Sequence, residues 1–413
     1  MNESPHGHAW RRWRFASALN VAVIPWVATF APHAIEPTQL VASVNQPPVS
    51  ISSTRTTIPT GLNTTTAATR TKTGGAHAVP AVPTRTVAVG IVRCTFIDST
   101  RSVFDYATTP PSVRSSHRTL LTEIRYPISA VTGGPNETPG AAPLARGGGY
   151  PVIVFAHGYD VSPDTYAALL DDWARAGFVV VAPFFPDEKF SAVTAQNGAD
   201  TEGDLANEPG DVAFVTRQVL QSSNHASPSC PVLHGLVNPS HIALAGQSDG
   251  ANAVATLAYN QGLDPQGVSY ASLDSGLNIQ AILILSGQEA PAQTYAAPAG
   301  SPPLLMVQSV QDQCNSIRSA VTLYRDVHRD NKWFLELQTA HHLPPYDGID
   351  KPAFRVVVGT TVHFLATTLQ VAKLSMSLLN YGNRTPTVAQ MFNNQAGPSL
   401  TNLPPFTGVC GLT

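Results

Sequence analysis

The 413-residue chain carries 24 Lys and Arg against 27 Asp and Glu, a formal net charge of −3 with an isoelectric point near 6.5. There is no basic excess to neutralise a phosphate backbone, which argues against a nucleic-acid partner. Hydrophobic residues make up 43% of the chain and charged residues only 12%, enough apolar material for one α/β domain with tails and a charge low enough to point outside the cytosol.

The chain opens with Arg11-Arg12-Trp13-Arg14 before a stretch from Phe15 to Ile35 that has no formal charge. Asn20, Pro25 and Pro32 interrupt that stretch, so residues 1–35 read as a secretory signal peptide rather than a stable spanning helix, with an N-terminal anchor as the alternative. Residues 36–85 are rich in Thr, Pro, Ala and Ser and bury too little apolar area to offset ordering entropy; they read as a disordered stalk.

From residue 86 the pattern changes. Strands are expected at 87–97, 119–126, 151–156, 178–182, 241–245, 280–285, 303–308 and 333–338, with a Gly/Pro-rich loop over 133–149. The first two lack a helix between them and are expected to pair as an antiparallel edge. Ser162-Pro163-Asp164 starts a helix that Gly177 ends. Further helices are expected at about 209–222, 250–260, 315–329 and 352–370. This alternation predicts an α/β domain over 86–375, a mostly parallel central sheet with helices on both faces and no large lid. Residues 376–413 form a C-terminal tail, expected to pack on the domain.

The most chemically specific stretch is Leu244-Ala245-Gly246-Gln247-Ser248-Asp249-Gly250. A G-x-S-x-G motif between an apolar run and a small-residue helix puts Ser248 on a sharp strand-to-helix turn, where its hydroxyl stands clear of the backbone as a nucleophile. That elbow requires an acid and then a histidine, each after a later strand. Asp312 follows the apolar run 303–307, and His341-His342 follow 333–337. Neighbouring side chains diverge, so only one histidine can face Ser248; His342 is the first choice and His341 the second. In this scheme His342 takes the serine proton and returns it to the leaving alcohol, and Asp312 fixes the imidazole tautomer. The oxyanion hole needs two backbone N–H groups. Asp249 supplies one, and Tyr159, in the turn His157-Gly158-Tyr159-Asp160 after the strand at 151–156, supplies the other.

These pieces resemble the α/β-hydrolase superfamily. Leu121–Pro127, Phe155–Asp160, Trp173–Pro183, Asn207–Val215, the elbow and His342-Leu343-Pro344-Pro345-Tyr346 resemble its bacterial branch related to dienelactone hydrolases, chlorophyllases, platelet-activating-factor acetylhydrolases and cutinase-like polyester hydrolases. The resemblance covers roughly residues 86–370. It implies an α/β-hydrolase fold and a serine carboxylic-ester hydrolase that works through a covalent acyl-enzyme. Gln247 and Asp249 depart from the branch, which often carries His and a small or apolar residue beside the nucleophile; Thr339 stands where Gly is common.

Two other classes compete. An acyltransferase would use the same triad with a different acceptor, and a non-catalytic envelope protein would keep only the fold. No cofactor and no metal site is expected, since no His/Cys/Asp cluster has ligand spacing. The expected partner is a small-molecule, lipid or polyester ester. Membrane or cell-envelope association through the N-terminus, a monomeric state and an extracytoplasmic location complete the reading. Four cysteines allow three pairings; Cys314–Cys410 with Cys94–Cys230 is favoured, which would staple the tail beside Asp312.

Overall fold

In the computed structural model, residues 87–410 are described, apart from 107, 109, 131–136, 187–201, 289–294, 298–299, 329, 370–371, 373 and 409. The expected signal segment and stalk lie outside the described residues.

The β-branched runs form strands because both faces of the sheet are covered. Tyr150–Ala156 and Val179–Pro183 are buried at every residue, the pattern of a sheet sandwiched between helices. The strands in chain order are β1 (Val87–Asp98), β2 (Val103–Asp105), β3 (Ser112–Ser115), β4 (Arg118–Ser129), β5 (Glu137–Pro139), β6 (Tyr150–Ala156), β7 (Val179–Pro183), β8 (Val237–Gln247), β9 (Ile279–Leu285), β10 (Leu304–Ser309), β11 (Lys332–Leu337) and β12 (Ala389–Phe392). Ten of them make one sheet in the order β12-β11-β10-β9-β8-β6-β7-β4-β1-β5, and β2 and β3 form a separate hairpin. Pairing from β7 through β11 is parallel. β1, β4 and β7 join it antiparallel, and β12 closes the far side antiparallel to β11. The antiparallel pair β1–β4 is therefore present, but it is not the edge: β5, inside the expected Gly/Pro-rich loop, pairs outside β1.

The helices are α1 (Ala167–Arg175), α2 (Glu208–Asn224), α3 (Asp249–Tyr259), α4 (Tyr270–Leu273), α5 (Ile317–Asp326), α6 (Pro344–Asp347), α7 (Lys351–Thr368) and α8 (Leu378–Gly382). The period of two along each strand sorts the core into two layers. Val152, Val154, Leu244, Ile282 and Met306 face α2, α3 and α5. Ile153, Phe155, Ala245, Leu283 and Val307 face α1, α6 and α7. A single 3-10 turn, Pro163–Tyr166, leads into α1, and Gly177 leaves that segment with φ +99°, a left-handed value that suits glycine. The expected helix at 315–329 is shorter, Ile317–Asp326; the Ser316 side chain accepts from Arg318 N–H and fixes its start.

Buried charges sit beside this core in closed groups. Arg118 is fully enclosed and donates to both Asp204 and Asp211. Arg125 reaches Glu123 and Glu137, which fastens β5 to β4. Cys94 pairs with Cys230 and Cys314 with Cys410, both as expected. Disulfides of this kind persist in oxidising compartments.

Candidate active site

The carboxyl ends of the central strands β6, β8, β10 and β11 point to one edge, where connecting loops of a doubly wound sheet build sites. β8 ends at Gln247 and α3 begins at Asp249, so Ser248 alone makes the turn. It has φ 56° and ψ −122°, a strained conformation for a residue with a side chain. The turn is tight enough to specify its glycines. A Cβ on Gly246 would run into the Gly250 carbonyl, and one on Gly250 into the Ala156 carbonyl. The start of α3 lies directly after Ser248, which puts the positive end of its dipole beside the serine.

The other expected residues converge on this point. Ser248 Oγ lies 2.8 Å from His342 Nε2, and His342 Nδ1 donates to Asp312 Oδ2 at 2.8 Å. His342 is 5% exposed and Asp312 2%, whereas His341 is exposed and turns away. The loop after β11 thus buries His342 and leaves His341 at the surface.

Asp312 is held as a carboxylate acceptor on all sides. Oδ1 accepts from the backbone N–H of Cys314 at 2.8 Å and of Asn315 at 2.9 Å. Oδ2 accepts from Gln308 Nε2 at 2.9 Å besides His342. Gln308 also donates to the Asn315 carbonyl, and Asn315 Nδ2 to the Ser286 carbonyl. Ser309 Oγ bonds the Ala340 carbonyl, tying the acid loop to the histidine loop. Ser286, at the end of β9, is itself buried with φ 48° and lies 3.0 Å from the Tyr346 hydroxyl. None of these supporting residues was anticipated from sequence; isolated polar residues at strand ends carry no spacing signal.

The turn after β6 packs onto the elbow. A Cβ on Gly158 would lie 2.9 Å from Ser248 Cβ and 2.9 Å from Gln247 Oε1, so only glycine lets this backbone approach the serine. His157 anchors the turn: Nδ1 donates to the Gly158 carbonyl at 2.8 Å, and Nε2 accepts from Phe185 N–H at 3.2 Å. Tyr159 follows immediately, its hydroxyl enclosed. Asp249, the first residue of α3, is 9% exposed. Asp312, Cys314 and His342 lie close enough to suggest a metal cluster, but the Cys314 sulfur is committed to Cys410.

The chlorophyllase family model matches residues 129–274, from the end of β4 through α4. That stretch carries the Gly158 turn and the elbow. The sheet order and the strand-turn-helix around Ser248 are those of the α/β-hydrolase fold. The chain is similar to two plant proteins, Chlorophyllase-1, chloroplastic, from Citrus unshiu and from Citrus sinensis, at 26% identity over 186 residues in each case. Each alignment covers 42% of this chain and 55% of the relative; the chain spans about half the length of the curated relatives it matches. Asp312 and His342 lie beyond the residues matched by the family model, so their juxtaposition is information from the fold alone.

Proposed function

We propose that this protein is an α/β-hydrolase, a serine carboxylic-ester hydrolase that works through Ser248, His342 and Asp312 and a covalent acyl-enzyme. The single observation that carries the reading is the unbroken hydrogen-bonded line from Ser248 Oγ through His342 to Asp312, with 2.8 Å at each step. It begins at a strained residue that holds its hydroxyl out of the backbone.

Ser248 Oγ attacks the ester carbonyl carbon while His342 Nε2 takes the hydroxyl proton. Asp312 stabilises the imidazolium that forms. The carbonyl oxygen becomes an oxyanion, and the backbone N–H groups of Tyr159 and Asp249 are assigned to it; a donor of this kind contributes about 2.7–4 kcal/mol to the transition state. Breaking the bond to the leaving oxygen sends the His342 proton to the alcohol. Water then attacks the acyl-serine by the same route, releasing the acid and restoring Ser248.

The substrate is read as a small-molecule, lipid or polyester ester, and the site of action as extracytoplasmic. Two disulfides in the described residues support the location. Chromogenic esters of graded acyl length, offered to wild type and to Ser248→Ala, test the reading. Turnover by wild type that the variant lacks is expected. Equal turnover by both would refute it, and acyl transfer to an added alcohol in preference to water would reassign the protein as an acyltransferase.

A further inference from the structure

Gln247 precedes the elbow serine and is 1% exposed. The two ends of its amide face different loops. Oε1 accepts from the Tyr166 hydroxyl at 2.6 Å. Nε2 lies 3.3 Å from the His342 carbonyl oxygen and 3.4 Å from His342 Nε2. Tyr166 in turn accepts from Gly158 N–H at 3.3 Å. One line of polar groups therefore runs from the turn after β6, through the segment leading into α1, to the elbow and the histidine loop.

The direction of that line is determined chemically. Gly158 N–H occupies the Tyr166 oxygen as an acceptor, so the Tyr166 proton goes to Gln247 Oε1. Burial holds the Tyr166 hydroxyl well above the ordinary tyrosine range, and the proton stays on it. The amide NH2 is thereby turned toward His342. A donor aimed at a ring nitrogen favours its lone pair and opposes a proton there.

We propose that Gln247, pinned by Tyr166, is a positioning residue that sets the His342 ring against Ser248 and keeps Nε2 an unprotonated acceptor until the serine proton arrives. The inference rests on the serine-hydrolase reading. Ser248 Oγ, at 2.8 Å, is the closer donor to Nε2 and is not displaced by the amide at 3.4 Å. When Nε2 takes the serine proton, the amide N–H retains the His342 carbonyl as its acceptor. The imidazolium N–H then faces another N–H, which favours handing the proton on to the leaving oxygen. The other ionisable groups packed around this network are Asp312 on Nδ1, Asp249 on α3, Asp347 and Tyr346 on α6, His157 after β6, and His341 beside His342.

The acid limb of the pH profile, read in ester turnover and in the rate of phosphonate labelling of Ser248, tests the proposal. Gln247→Met removes the donor at similar length and should raise the acid midpoint by about half a unit. Gln247→Glu should raise it further. Tyr166→Phe keeps the amide but releases its pin, and a smaller rise is expected. A purely structural role would lower rates or melting temperature without moving the midpoint, so midpoints in the Met and Glu variants equal to wild type would overturn the proposal. If those variants do not fold, the wild-type protein still answers: a Gln247 side-chain amide proton that shifts at the acid midpoint supports the proposal, and one indifferent to it overturns it. Labelling of a residue other than Ser248 would instead overturn the underlying hydrolase reading, which separates the two failures.

Discussion

Replacing Cys314 and Cys410 together by serine should cost both stability and rate. The bridge spans a sequence separation of 96. A loop of that length, freed in the unfolded chain, corresponds to about 4.7 kcal/mol on the chain-entropy model. Roughly 320 residues unfold together, at about 2.1 cal/mol/K each, so the melting temperature should fall by about 7 °C if the whole entropy is recovered. The rate effect has a separate origin. Cys314 N–H donates to Asp312 Oδ1 at 2.8 Å, and the neighbouring Gln313 side chain bonds Pro405 and Thr407 of the tail. Without the bridge, the tail and the acid loop are held together by these exposed bonds and by Leu400 and Leu403, which pack against the same core as Val310. Loss of the equivalent of one hydrogen bond, about 1 kcal/mol, lowers kcat about five-fold. Calorimetry and ester kinetics on the double variant measure the two effects. A melting temperature within about 1 °C of wild type, together with unchanged kcat, would refute the claim that this staple supports the acid loop.

The remaining expectations concern single groups. His342→Ala should remove nearly all turnover, while His341→Ala, at an exposed position, should stay within about two-fold of wild type; the reverse pattern would transfer the role to His341. Asp312→Asn should lower kcat by about 10³–10⁴-fold with little change in KM, since the amide stabilises the wrong imidazole tautomer; an undiminished kcat would contradict the assignment. Burial, with a hydrogen bond that the protonated Asp171 donates to the Glu137 carboxylate and the negative charge of Glu137, raises the Asp171 carboxyl to about 7. Its folded value lies above its unfolded one, so the stability it contributes is full below about pH 4 and is lost as pH rises through 7. Asp171→Asn should flatten stability between pH 5 and 8 in chemical denaturation, and an unaltered slope would show that another group carries it.

The central strands were legible because burial on both faces demands continuous β-branched runs such as Val152-Ile153-Val154 and Val179-Val180-Val181. The elbow was legible because its glycines are forced by backbone approach, which leaves a local spacing. The outer strands were not. Glu137-Thr138-Pro139 contains a proline and no apolar residue, so β5 looks like the loop around it. Pairing with β1 and the Arg125–Glu137 ion pair hold it as a strand. Ala389–Phe392 is four residues in a tail rich in Asn, Thr and Pro, and its strand state comes from β11. The supporting residues of the site were invisible for a related reason. Gln308 reads as the polar end of a strand, and Tyr166 meets Gln247 across 81 positions of sequence. Contacts of that span leave no periodicity to read.

Every step of the proposed reaction depends on Ser248 as the nucleophile. Incubation of the purified protein with an organophosphonate ester, followed by peptide mass spectrometry, reads this in one step. One phosphonyl group is expected on Ser248, and none after Ser248→Ala or when His342 is replaced by Ala. Modification at any other residue, or labelling of Ser248 that proceeds at the same rate without His342, would contradict it.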